Sequence, residues 1–255
     1  MKLPYQHSMT VAAHRGDSYC CFENTMEAFA AALSVGADMV ETDVRMTKDG
    51  HLVLMHDGSG KRTAGVDVQI ADLKFAEVQQ LNVGSEFHPL SIPTLEELLI
   101  WAKEHDGLML NIELKEYYED GNETRCKECV DKVVALVKKY GLEDRIVLNS
   151  FDAWPLQYID ETYGHRFMLH GFYPYEAMKH VDRNPDEYLY CACIWGNVKD
   201  KRNYDHLLEV GIEPWVGASF TSTDSLDMAC RYGAVLVTTN HPSDTIERLK
   251  GLGKR

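Results

Sequence analysis

The chain has 255 residues, 45% of them hydrophobic and 26% charged, and a formal net charge of −14. That length and composition suit a globular protein with one large core. The acidity argues against nucleic acid, which needs a basic surface to release counterions, and against an anionic membrane surface. No run approaches the roughly 18 to 20 apolar residues of a membrane-spanning helix.

The N-terminal Met1-Lys2-Leu3-Pro4-Tyr5-Gln6-His7 lacks the apolar core of a signal peptide, so a cytoplasmic location without stable membrane insertion is expected. Seven cysteines (Cys20, Cys21, Cys126, Cys129, Cys191, Cys193 and Cys230) are an odd number and point to reduced thiols. Cys126-x-x-Cys129 and Cys191-x-Cys193 lack the paired CxxC spacing of a zinc site, so buried free thiols are expected there.

Apolar, β-branched runs alternate with helical patterns along the whole chain, the rhythm of strand-helix-strand units and a parallel sheet. Strands are predicted over 10–14, 39–44, 108–113, 145–149, 166–170, 189–194, 213–217 and 234–239. Helices are predicted near 24–35, 94–104, 124–140, 153–163, 174–181, 201–209, 223–231 and 243–250. Eight such units close an α/β TIM (β/α)8 barrel, and residues 1–255 read as a single domain. Asn24 or Thr25 caps the first helix, Thr94-Leu95-Glu96-Glu97 forms a capping box after Pro93, and Gly141 stops the long helix. A loop insertion follows the second strand, over 47–93, opening with the turn Lys48-Asp49-Gly50 and the alternating strand 51–56. In a barrel it lies at the C-terminal face, where active sites are built.

Polar groups collect at the predicted strand ends. His14-Arg15-Gly16 closes the first strand: an imidazole that titrates near neutrality, a guanidinium fork that matches phosphate oxygens, and a glycine that admits a ligand to the backbone. Glu41 and Asp43 stand at i and i+2 on one face of the second strand, and Glu113 and Lys115 do the same on the third. Three converging carboxylates need a cation and make an all-oxygen site for one hard divalent metal ion, Mg2+ or Ca2+. His56-Asp57 ends the inserted strand and supplies a second imidazole. Two histidines suit phosphodiester cleavage, in which an attacking oxygen loses a proton and a departing alkoxide gains one.

With these residues in place the sequence resembles the glycerophosphodiester phosphodiesterases. The resemblance runs through His14-Arg15-Gly16, Glu23-Asn24-Thr25, Gly36-Ala37-Asp38, Glu41-Thr42-Asp43-Val44, Thr47-Lys48-Asp49-Gly50, His56-Asp57, Arg62-Thr63, Ile92-Pro93-Thr94-Leu95-Glu96-Glu97, Glu113-Leu114-Lys115 and Ser150-Phe151. It implies a TIM barrel and a divalent metal on Glu41, Asp43 and Glu113. His14 and His56 would be the acid–base pair, Arg15 and Lys115 would hold the phosphate, and Trp215 would face the substrate. The implied reaction is hydrolysis of a small-molecule glycerophosphodiester to sn-glycerol 3-phosphate and an alcohol, within glycerol and lipid metabolism. Three departures from the family pattern stand out: Phe22 in place of Pro before Glu23-Asn24-Thr25, Val216-Gly217-Ala218 in place of polar residues after Trp215, and Asn240 where Asp is usual. The alternatives are a related barrel acting on lysophospholipids or sphingomyelin, and a non-catalytic phosphodiester-binding barrel. The remaining histidines, His170 among them, carry no motif and are expected to be structural or exposed. Tyr117-Tyr118 is expected at the surface.

Overall fold

The computed structural model describes residues 2–119, 121–220 and 222–255. In chain order its elements are β1 (Thr10–His14), α1 (Met26–Ser34), β2 (Met39–Met46), β3 (Leu52–Leu54), α2 (Lys61–Ala64), α3 (Phe75–Val78), α4 (Leu95–Lys103) and β4 (Met109–Leu114). There follow α5 (Glu123–Tyr140), β5 (Ile146–Asn149), α6 (Ala153–Tyr163), β6 (Met168–Tyr173), β7 (Cys191–Ile194), α7 (Lys201–Glu209), β8 (Glu213–Val216), α8 (Thr223–Arg231), β9 (Leu236–Thr239) and α9 (Pro242–Gly251). β1 pairs in parallel with both β2 and β9, so eight parallel strands close into the expected TIM barrel, and β3 adds antiparallel to the outer edge of β2. Among the described residues no helix is long and apolar enough to cross a membrane.

The period-2 alternation of the strands sorts their side chains into two cores. Val11, Val40, Leu110, Leu148, Leu169 and Val237 point outward and pack under the helices with Phe29, Leu98, Val133 and Leu156. Ala12, Met39, Met109, Val147, Met168, Cys191, Trp215 and Leu236 point inward and, with Leu3, fill the lower barrel. The helices follow the same logic. On α5 the buried residues Cys126, Cys129, Val130, Val133, Val134 and Val137 recur every three or four positions, giving one apolar stripe. Thr25 caps α1, Thr94 and Glu97 form the capping box of α4, and Gly141 ends α5 in the left-handed conformation.

The helix expected over 174–181 is replaced by single 3-10 turns at Tyr175–Ala177 and Pro185–Glu187. The backbone there bonds elsewhere: Lys179 N–H donates to the Phe151 carbonyl and the Lys179 carbonyl accepts from Ala153 N–H, so the chain runs extended beside residues 151–153. The 47–93 insertion packs on its own small apolar cluster of Val53, Met55, Ile70, Val78, Val83 and Ile92. Met55 N–H donates to the Asp43 carbonyl at 2.9 Å, which lays His56 beside the end of β2.

At the end of β1 the chain turns through two successive left-handed residues, Arg15 (φ 59°) and Gly16 (φ 81°). A Cβ at Gly16 would meet the Ala28 carbonyl carbon at 2.6 Å, whereas one at Gly141 (φ 66°) would meet nothing within 4 Å. Strain and overlap add at the first position and only strain acts at the second. Gly16→Ala should lower the unfolding free energy by about 3 kcal/mol or more, and Gly141→Ala by about 1 kcal/mol. Paired urea titrations measure the difference, and equal losses would contradict the close approach.

Candidate active site

Glu41, Asp43 and Glu113 come from neighbouring inward positions of β2 and β4, and one oxygen of each lies within 4.8 Å of the others. All three are buried. Burial, with Asp43 and Glu113 beside it, raises Glu41 well above the usual carboxylate range. Burial likewise raises Glu113, against the opposing pull of Lys115. Burial acts on Asp43 too, but Lys115 and Arg15 overcome it and hold Asp43 low. Lys115 Nζ lies 2.5 Å from Glu113 Oε1 and 3.2 Å from Asp43 Oδ1, and Tyr117 Oη donates to Glu113 Oε1 at 3.1 Å.

These residues fit a divalent cation on two counts. The donors are all hard oxygens, as Mg2+ and Ca2+ prefer. In addition, buried Asp43 Oδ1 has no aligned hydrogen bond among the described residues despite the Lys115 ammonium 3.2 Å away. The rest of the set is already oriented: Asn24 Nδ2 donates to Asp43 Oδ2 at 2.9 Å while its Oδ1 accepts from Thr42, and Arg15 N–H donates to Glu41 Oε2 at 3.0 Å.

His14 stands beside Glu41 across the β1–β2 pairing, with Nε2 3.9 Å from Glu41 Oε2. Its Nδ1 meets Asn240 Oδ1 at 2.5 Å. An amide oxygen only accepts, so Nδ1 carries the proton and Nε2 presents its lone pair. Burial and the Arg15 charge hold His14 below the ordinary imidazole value. His56 Nδ1 instead meets the Asp57 carboxylate at 2.6 Å. Arg62, bonded to Asp57, holds that carboxylate down to about 2. Arg62 also grips Glu23, which binds Arg15 at 3.0 Å, so an alternating chain of charges links the two histidine loops. Arg45 secures the His56 carbonyl through Nε at 2.9 Å and Nη2 at 2.6 Å.

His14, Arg15, Glu41, His56, Glu113 and Lys115 all line one cavity of about 620 Å³. A second cavity of about 720 Å³, lined by Arg45, Asp57, Lys61 and Arg62, adjoins it at His56, Lys115 and Phe151. Trp215 departs from its expected place at the substrate. It is fully buried one layer lower among Met39, Met109 and Met168, with its indole N–H turned down toward Glu213 at 3.5 Å. Gly217, the next inward residue on that chain, occupies the cavity wall instead. The aromatic wall comes from residues without a sequence signal beyond Ser150-Phe151: Phe151 stacks on Phe172 with ring centroids 3.4 Å apart, and Trp195 meets Phe151 edge-on at 5.1 Å. Tyr117 was also expected at the surface and lies instead against the carboxylates. Asn240 gave no signal of its own beyond its departure from a familiar pattern.

The chain matches the model of the glycerophosphoryl diester phosphodiesterase family over residues 14–250. It is 35% identical over 161 residues to the glycerophosphodiester phosphodiesterase of Caldanaerobacter subterraneus subsp. tengcongensis, a match covering 61% of this chain and 63% of that protein. It is 34% identical over 185 residues to the enzyme of the same name from Bacillus altitudinis, covering 70% of each. Its fold is that of an Oleispira antarctica phosphodiesterase solved in complex with the product sn-glycerol-3-phosphate (TM-score 0.79, 22% identity, 94% of this chain and 96% of that one).

A cation can bind the triad only after Glu41 and Glu113 have lost their protons, and both hold them to higher pH than an ordinary carboxylate. Affinity for Mg2+ or Ca2+ should therefore rise with pH from mildly acidic toward alkaline solution. Calorimetric titration across that range should show protons released on binding, and a pH-independent affinity would contradict it.

Proposed function

The chain belongs to the glycerophosphoryl diester phosphodiesterase family, and from that membership we propose that it hydrolyses glycerophosphodiesters to sn-glycerol 3-phosphate and an alcohol. The observation that carries this reading is the single cavity lined by Glu41 and Glu113, two cations and two differently partnered imidazoles, with Asp43 clustered within 4.8 Å of the other two carboxylates. Arg15 and Lys115 would bind the phosphoryl oxygens. A divalent cation held by Glu41, Asp43 and Glu113 would neutralise charge that develops on those oxygens. His14, neutral and with Nε2 free to accept, would take the proton from the attacking oxygen, whether of water or of the substrate's neighbouring hydroxyl. His56, backed by the ionised Asp57, would hand its proton to the departing alkoxide. The seven free cysteines support a reducing compartment, the cytoplasm. The ties from Arg62 to Glu23 and Asp57 support the insertion as part of the same catalytic domain.

A second reading, a lysophospholipid substrate, is favoured by the wall of Phe151, Phe172 and Trp195, the last 51% exposed. Faster turnover of a long-chain lysolipid than of glycerophosphocholine would select it.

His14→Ala and His56→Ala should each lower kcat by about 10²- to 10⁴-fold with unchanged thermal unfolding, and an active double variant would sink the acid–base assignment. Asn240→Asp separates the roles. A carboxylate on His14 Nδ1 raises the pKa of that imidazole by about one unit or more, and a base works only when neutral. The acid limb of kcat/KM should therefore move to higher pH, and a limb that stays put would remove His14 as the base.

A further inference from the structure

The loop between His14-Arg15-Gly16 and Glu23-Asn24-Thr25 carries two groups that the chemistry above does not use. Of the seven free thiols, Cys126, Cys129, Cys191 and Cys193 are buried and Cys230 is half-buried, whereas Cys20 is exposed and Cys21, half-buried, follows it directly. The sequence around them is this chain's own, with Phe22 standing where the family pattern has Pro. Both thiols belong to one turn: the N–H groups of Cys20 and Cys21 donate to the same Asp17 carbonyl, at 3.2 and 2.9 Å. That turn touches the partner of the catalytic imidazole. Ser18 Oγ lies 3.5 Å from Asn240 Oδ1, the oxygen that holds His14 Nδ1, and the Tyr19 ring lies 4.1 Å from the His241 ring. At its far end Asn24 N–H donates to the Arg15 carbonyl and Thr25 Oγ1 to the Phe22 carbonyl, so the turn is clamped at both ends.

We propose that Cys20 and Cys21 are a modification site, a dithiol that a small-molecule disulfide oxidises to a bond between adjacent residues, and that this bond slows the enzyme through the His14 loop. The more accessible Cys20 sulfur, as its thiolate, attacks one sulfur of the oxidant and displaces one small thiolate. The Cys21 sulfur, its proton lost to solvent, then attacks Cys20 and displaces the second. Two protein thiols and one small disulfide thus become one protein disulfide and two small thiols. Adjacency selects this outcome. The Asp17 carboxylate pushes the Cys20 thiol up, and burial, with Asp17 behind it, pushes up Cys21, so neither thiol alone has the low pKa of a peroxide sensor. The second step is instead intramolecular, and a thiol one residue away outcompetes any in solution. Adjacent Cα atoms are about 3.8 Å apart, closer than in ordinary disulfides, so closing the ring twists the peptide between the two residues. The Cys21 N–H belongs to that peptide, and its bond to the Asp17 carbonyl is the contact the twist removes. Strained, exposed disulfides are the readily reduced, regulatory kind, which suits a chain whose other thiols are free.

The test incubates the chain with oxidised glutathione and follows intact mass, peptide maps and kcat/KM on glycerophosphocholine. Wild type should lose two hydrogens without gaining a glutathione adduct, with the new bond mapped to Cys20 and Cys21. Its kcat/KM should fall about tenfold or more, and dithiothreitol should restore both mass and rate. Cys20→Ser and Cys21→Ser cannot close the bond and should keep their activity under the same oxidant, while Cys230→Ser should respond as wild type does. Stable glutathione adducts on wild type, no reaction at all, or an equal loss in either of the first two serine variants overturns the dithiol. A Cys20–Cys21 bond that leaves the rate of a working enzyme unchanged overturns its hold on the site. The rate arm rests on the phosphodiesterase reading, and amide hydrogen exchange does not. Faster exchange of the Cys21 and Asn24 N–H groups on oxidation sustains the proposal even if wild type hydrolyses no diester, which would defeat the phosphodiesterase reading alone. Unchanged exchange in a protein that hydrolyses no diester defeats both.

Discussion

Three carboxylates held within 4.8 Å of one another in a buried barrel mouth are the constraint on which this molecule turns. When all are ionised, Arg15 and Lys115 leave them one negative charge in excess, and the low-dielectric surroundings make that excess expensive. Nearby polar contacts reduce the cost. The backbone N–H of Arg15 points at Glu41 because the chain turns there through left-handed residues, and Asn24, itself at φ 56°, donates to Asp43. Lys115 and Tyr117 converge on one oxygen of Glu113. Backbone geometry that would be strained elsewhere is therefore concentrated around one electrostatic problem.

The same problem explains how so acidic a chain would accept an anionic substrate. The arginines nearest the mouth carry little net charge to draw it in from a distance: Arg62 is paired with Glu23 and Asp57, and Arg15, though placed to contact a phosphoryl oxygen, is offset by Glu23 and Asp43. A divalent cation on the triad reverses the sign of the centre, so attraction for phosphate would come with the metal rather than from the protein's overall field. The salt-bridge chain then has a mechanical role. It fixes the loops carrying His14 and His56 relative to one another, and the partners of those histidines, an amide for one and a carboxylate for the other, break the symmetry between them.

What was legible in the sequence follows from how local each signal is. Eight strands and seven of the eight expected helices were readable because β-branched runs and amphipathic stripes need only a few neighbouring residues, and the caps at Thr25, Thr94 and Gly141 are local chemistry. The grouping of Glu41, Asp43 and Glu113 was readable because i, i+2 parity puts strand residues on one face, and the placing of His14 and His56 at the same mouth because each closes a strand-like run. Parity does not give depth. Trp215 has the inward parity of a site residue, but it lies one layer below the cavity because strands in a tilted barrel are staggered. The helix expected over 174–181 failed for a related reason: its backbone partners lie at 151–153, outside any local window.

His170 and Asn149 show the limit most clearly. A histidine in an apolar strand without a motif is ordinarily a satisfied core residue, and only three-dimensional pairing reveals that Asn111 takes up Nδ1 of His170 while Nε2 has no partner among the described residues. Replacing either by an aliphatic residue would have removed an unpaired polar group and extended the apolar core beneath it. The cavity itself is uneven in chemistry, charged where Arg15, Glu41, Glu113 and Lys115 line it and aromatic where Phe151, Phe172 and Trp195 do, with the His170 and Asn149 pair on neighbouring strands of the same wall.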